Sequence, residues 1–266
     1  MEHFSFLFNL VAIGVLDPKV LYPLNKWFSV REINDEQPQG TPVGVTLATG
    51  PNGNEDGSYE FDGHANSYID FPNDGGLDVQ HSITVLCWLY PKIIGRGSIF
   101  SYGINDQQWT VHFWISNSGK LMAGYADRNY SDIPAFKTDN SLASNQWHYV
   151  GTSYDHDTGI ASIWINGTRI VQRSIGAGIT LATQDDVRIG AFKERYFTGR
   201  IAAMQFFDAA LTAKQINEVK ESGLGKHLCR LGFSSINYPA RIASRLIPGG
   251  IKSCRRNRSS RDFVVL

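Results

Sequence analysis

Carboxylates, histidines and cysteines define the chemistry open to this 266-residue chain. Glycoside cleavage needs two carboxyl groups, one to protonate the glycosidic oxygen and one to act at the anomeric carbon. On a strand such a pair shares a face only at i and i+2 or i+4. No Glu-x-Asp-x-x-Glu run occurs. Glu32, Asp35 and Glu36 are close in sequence but lie in a stretch without strand periodicity, which reads as a solvated loop. Asp155, His156 and Asp157, joined by Asp185 and Asp186 or by Asp62, carry enough oxygen for a calcium site drawn from several loops. The same Asp-rich run reads better as turn chemistry, because Asp bends the backbone on its own account. No His/Cys spacing fits zinc, and no nucleophile-elbow or triad-type motif occurs. The glycines of 50–57 end without the Lys-Ser/Thr of a phosphate cradle.

The elements that position these groups read as strands. The stretch 147–170, WHYVGTSYDHDTGIASIWINGTRI, predicts a strand over 147–154, a turn, and a second strand over 160–165. Asn166-Gly167 tolerates positive φ at both positions and predicts a tight hairpin into a third strand at 168–171. Residues 82–90 are apolar on both faces, so they read as a central strand with Cys87 as a buried free thiol. In 109–115 the pleat puts Trp109, Val111, Phe113 and Ile115 on one face, and Val111, Phe113 and Ile115 are expected in the core. It puts Thr110, His112 and Trp114 on the other. Residues 37–57 read mainly as loop. One helix is expected over 212–222, with Thr212 and Gln215 as a capping box and Leu211 and Ile216 as a hydrophobic staple. Ile216 and Val219 then face the body, and Gly223 takes the stop. Many short strands with one brief helix predict an all-β fold: a two-sheet antiparallel jelly-roll sandwich with a short C-terminal helix and a basic tail.

Net charge is zero, but it is divided unevenly. From Gly223 onward there are nine Lys/Arg and one acid, leaving 16 basic and 24 acidic residues before it. The expected division is therefore 1–16 as a signal peptide or upstream fragment, 17–222 as the domain, and 223–266 as a poorly ordered basic tail. The apolar run at 4–16 is too short to span a membrane. It is similar to a secretory h-region, yet Glu2 precedes it and no Lys or Arg does. Cys229 and Cys254 are free to pair in an oxidising compartment, and sequence leaves that open. Asn129, Asn166 and Asn257 begin glycosylation sequons.

Four stretches in order, SYEFDGHANSYIDFP (58–72), SITVLCWLYP (82–91), the 147–170 hairpins and YFTGRIAAMQFFDAALTAKQI (196–216), resemble the laminin-G-like jelly-roll family. That family belongs to the concanavalin A-like lectin and glucanase superfamily and has pentraxins as relatives. The resemblance covers about 17–222 and implies a non-catalytic, secreted extracellular module for glycans, matrix proteins or cell-surface partners. Related calcium-binding members often place Asp after the Ile of the closing strand. Here that position is Ala202, so weak or no calcium binding is expected and no other cofactor is implied. Trp114, with His112 and Thr110 beside it, is the expected sugar platform, because an aromatic plane matches the apolar face of a pyranose. The competing reading makes Trp114 core. Arg255, Arg256, Arg258 and Arg261 predict binding of a heparin-like polyanion. Nucleic acid is not expected, since no aromatics alternate with the basic residues. A glycoside-active enzyme of the same fold and a purely structural matrix module stand as alternatives.

Overall fold

The computed structural model describes residues 17–103, 108–230, 254–256 and 263–265. Short apolar or alternating runs become strands β1 (Val20–Tyr22), β2 (Thr41–Val43), β3 (Thr46–Ala48), β4 (Ser58–Asp62), β5 (Tyr68–Phe71), β6 (Ile83–Pro91), β7 (Gly97–Tyr102), β8 (His112–Ile115) and β9 (Lys120–Ala126). They continue as β10 (Asp132–Ser141), β11 (His148–Asp155), β12 (Ile160–Ile165), β13 (Thr168–Ser174), β14 (Val187–Ile189), β15 (Ala191–Phe192), β16 (Arg195–Tyr196) and β17 (Thr198–Phe207). Helix α1 (Ala213–Arg230) follows, and β18 (Cys254–Arg256) pairs with β19 (Phe263–Val265).

Two antiparallel sheets form a sandwich. One has eight strands in the order β13-β12-β11-β6-β17-β4-β3, with β1 also paired to β17. The other has seven, β10-β9-β8-β7-β14-β5-β2. Val85, Cys87 and Leu89 of β6 and Val150 of β11 point inward to meet Phe113, Ile115, Leu121 and Ala123 of β8 and β9. Each such side chain contributes roughly 1.5–3 kcal/mol when fully buried. Phe100 and Phe206 meet edge to face across the sandwich, with centroids 6.3 Å apart. The Tyr125 and Thr152 hydroxyls share a hydrogen bond of 2.6 Å between the sheets. Val111 also faces this core, so the expected inward set Val111, Phe113 and Ile115 is what the fold buries.

Local signals explain the turns and the cap. Asn166 and Gly167 sit at φ of 52° and 83°, as a tight hairpin requires. The Thr212 amide donates to Gln215 Oε1 at 2.9 Å, and the Gln215 amide donates back to Thr212 Oγ1 at 3.3 Å. Leu211, Ile216 and Val219 join Leu86, Tyr149, Trp164 and Phe207 in a second apolar cluster, which seats α1 outside the eight-stranded sheet. Among the described residues no helix is long and apolar enough to cross a membrane.

Four details differ from expectation. The helix runs through Gly223 to Arg230, because glycine ends a helix only where the chain leaves through a left-handed turn. The stretch read as loop over 37–57 contains β2 and β3, edge strands of three residues each. Glu32 is buried, not solvated: its carboxylate accepts the Asn34 amide at 2.7 Å and the Glu36 amide at 3.2 Å. Trp109 precedes the start of β8, so strand alternation does not reach it, and it packs on the outer face beside His112.

Candidate functional site

The outer face of the seven-stranded sheet carries a stack of rings. Gly124 of β9 lies opposite His112 of β8, and a Cβ there would strike the imidazole. Its absence lets His112 lie flat on the sheet. Trp114 stacks on His112 with centroids 4.5 Å apart and planes 19° apart. Trp109 meets the other side of the array at 5.1 Å from His112. His112 Nδ1 donates to the Thr110 carbonyl at 2.8 Å, and the Thr110 hydroxyl donates to the Tyr102 carbonyl.

A two-residue hairpin covers this stack. β15 and β16 pair Phe192 with Arg195 around Lys193-Glu194, and Lys193 takes φ of 42°. A lysine at positive φ is strained, and the hairpin holds it there. The register lays the Arg195 guanidinium 4.4 Å from the Trp114 ring centre and 5.0 Å from that of Trp109. Lys193 Nζ lies 3.8 Å from the Trp109 ring centre. Cations over aromatic faces are attracted by the ring quadrupole.

Beside the hairpin opens a pocket of about 410 Å³, lined by Arg96, Trp114, Ser116, Asn117, Ser118, Met122 and Arg195. Gly119, at φ of 75°, closes the β8–β9 turn that carries Ser116, Asn117 and Ser118. Burial, and then the charges of Arg195 and Lys193, push the His112 pKa down to about 3, against the opposing pull of the Thr110 carbonyl. The imidazole is therefore neutral at physiological pH. Burial, then the neighbouring charge of Arg96, brings Arg195 down to about 10, so it stays protonated.

The structure brings Thr110, His112 and Trp114 to one face, as the pleat requires. Thr110 and His112 are closed off beneath the stack, at 0% and 3% exposure, while Trp114 at 6% reaches the pocket wall. Trp114 belongs to neither large apolar cluster. Arg195 and Arg96 carried no signal in the sequence, because a short hairpin and a loop have no periodicity to mark them.

Asp155 and Asp62 serve turns, while Asp185 and Asp186 tie distant loops together. Asp155 accepts the Asp157 amide at 3.1 Å and the Thr158 hydroxyl at 2.8 Å. Asp186 accepts the Asn73 amide at 2.8 Å, Asp185 accepts the Tyr130 hydroxyl at 3.3 Å, and Asp62 accepts the His64 amide at 2.9 Å. Among the described residues no group of three or more His, Cys, Asp or Glu could hold a metal. Ala202 is buried beside a bulge in β17. Asn129 is exposed in a loop. Asn166 is exposed too, but its side-chain oxygen accepts the Tyr149 amide at 2.9 Å. Arg255, Arg256 and Cys254 fall in β18, of which the backbone is described. Arg258, Arg261 and Asn257 lie outside the described residues, as does 1–16.

A laminin G family model, described as concanavalin A-like lectin/glucanases superfamily, matches residues 62–217. The chain belongs to this superfamily. It is a lectin-like jelly-roll domain related to the pentraxins. C-reactive protein of Oryctolagus cuniculus is 27% identical over 157 residues, covering 53% of this chain and 65% of that protein. Serum amyloid P-component of Sus scrofa is 28% identical over 189 residues, covering 63% and 81%. The botulinum neurotoxin serotype D ligand binding domain, solved with N-acetylneuraminic acid, superposes with a TM-score of 0.62 at 15% identity, over 79% of this chain and 52% of that one. Domain 4 of an extracellular arabinanase from Geobacillus stearothermophilus, solved with arabinotriose, gives 0.59 at 17% identity, over 76% and 97%. At such identities the structural likeness shows the fold alone. The chain thus spans about two thirds of the rabbit protein and about half of the toxin chain.

Proposed function

We propose that this superfamily member is an extracellular, non-catalytic recognition module that binds a glycan in the pocket beside Trp114. The carrying observation is the pocket's make-up: an aromatic wall facing a turn of Ser116, Asn117 and Ser118 in about 410 Å³. Such a volume suits one or two sugar rings, with apolar area on one side and hydroxyl partners on the other. No carboxylate lines it among the described residues, so acid–base cleavage of a glycosidic bond has no agent there. Known ligands of the solved neighbours, N-acetylneuraminic acid and arabinotriose, support a sugar. In this reading the aspartates hold turns and loop-to-loop contacts, and binding does not depend on calcium.

A glycan array run in millimolar calcium and again in chelator tests this. The expected result is the same retained glycans in both, and thermal melts that nearly coincide. Asn117→Ala, at an exposed turn position, should weaken retention without moving the melting temperature. Trp114→Ala should abolish retention and also cost about 3–5 kcal/mol of stability, because the ring is nearly buried. A blank array, or retention unaltered in both variants, overturns the pocket as the ligand site.

A further inference from the structure

The pocket holds a buried charge with no counter-ion among the described residues. Arg195 is 6% exposed, and its Nε and Nη1 atoms are buried without a hydrogen-bond partner. Three other half-buried arginines of the body are paired: Arg188 with Asp70 at 2.6 Å, Arg128 with Asp78 at 2.7 Å, Arg200 with Glu60 at 3.0 Å. Among the described residues neither Arg195 nor Arg96 has such a carboxylate. Glu194, next in the chain, is exposed and makes no ion pair with Arg195. Withdrawing a guanidinium from water without a partner is costly. The Trp109 and Trp114 faces offset part of that cost but accept no N–H in-plane. The two arginines on one pocket also repel each other.

We infer that the pocket takes the acidic group of a glycan, an oxyanion on a sugar ring seated between Arg195 and Arg96 with the ring against Trp114. This rests on reading the pocket as the glycan site and names the class of glycan. An oxyanion at the pocket wall removes the repulsion between the arginines and gives the buried charge a counter-ion, and charge-assisted bonds to guanidinium are the strong kind. Ser116, Asn117 and Ser118 stand opposite for the sugar hydroxyls. A single aromatic wall fits one ring, not the successive stacked bases of a nucleic acid.

Four probes separate the outcomes: methyl β-glucuronide, methyl β-glucoside 6-sulfate, their neutral parent methyl β-glucoside, and sodium sulfate as an anion without a sugar. Each is titrated into the full chain while the indole N–H resonances of Trp109 and Trp114 are followed. Expected is roughly tenfold or tighter binding of an acidic probe over the neutral parent, the worth of a hydrogen bond to a charged group. The two acidic arms tell carboxylate from sulfate. Arg195→Gln should erase the preference; because that side chain is buried, Arg96→Gln, at an exposed position, serves as the variant whose folding is secure, and it should reduce the preference. Equal binding of the three sugar probes, unmoved by Arg96→Gln, overturns the inference and leaves the glycan reading standing. Indole shifts with sodium sulfate but with no sugar would keep the anion site and overturn the glycan reading. Silence from every probe overturns both.

Discussion

A neutral imidazole underlies the ring stack, and this makes its stability depend on pH. His112 is buried between two indoles with Arg195 and Lys193 above, and its pKa falls to about 3. Unfolded histidine titrates near 6.5. Between those values the unfolded chain binds one more proton than the folded chain, so this contribution is fully present above pH ~6.5 and is lost as pH falls toward ~3. The slope is about 1.4 kcal/mol per pH unit within that window. Denaturant titrations at pH 7, 6, 5 and 4 on the parent and on His112→Phe should show it. The phenyl ring keeps the stack and does not titrate, so the parent should lose stability relative to the variant at each acid step. Parallel pH profiles would mean that His112 takes up its proton without unfolding the stack. Carboxylates with lowered pKa, Glu60 and Asp78, lose stability in acid in both proteins and cancel in the comparison.

At the scale of elements, the capping box on α1 is a local device with a local cost. Thr212→Ala removes the acceptor of the Gln215 amide and should lower stability by about 1 kcal/mol, as loss of an N-cap does. Its measure is the denaturant midpoint, and an unchanged midpoint would show that the apolar seat of Ile216 and Val219 alone holds the helix. Such signals were legible because they are local. The same holds for the Asn166-Gly167 turn and for β6 and β12, where pattern and turn residues agree. β2 and β3 were not legible: they are three-residue edges whose pairing partners, β5 and β4, supply what their own sequence lacks. Trp109 went to the wrong face because alternation was carried back three residues before the start of β8. The candidate site was half visible. Trp114 showed through its place in the pleat, whereas Arg195 acquires its meaning only from the rings that β8 brings beneath it.

The whole molecule divides its charge, and that division predicts where a polyanion goes. Before Gly223 the chain carries 24 acidic and 16 basic residues, and after it nine basic and one acidic. A polyanion is therefore repelled by the average body surface and attracted by the C-terminal stretch, over distances set by a screening length of about 8 Å at physiological salt. We propose that Arg255, Arg256, Arg258 and Arg261 provide that attraction, separately from the pocket. The full chain and a chain ending at Arg230, which keeps the whole of α1, would be compared on immobilised heparin across a salt gradient. The shortened chain should elute at much lower salt, and the full chain's retention should fall steeply as salt rises. Pocket variants discriminate further. If Arg96→Gln leaves heparin retention of the full chain unchanged while weakening an acidic monosaccharide, the two regions act independently: the stretch gathers polyanions by net charge, and the pocket selects one acidic ring by shape. Equal retention of the full and shortened chains would instead place heparin binding on the body, where Arg96, Arg195 and Lys193 are the cations grouped on one face.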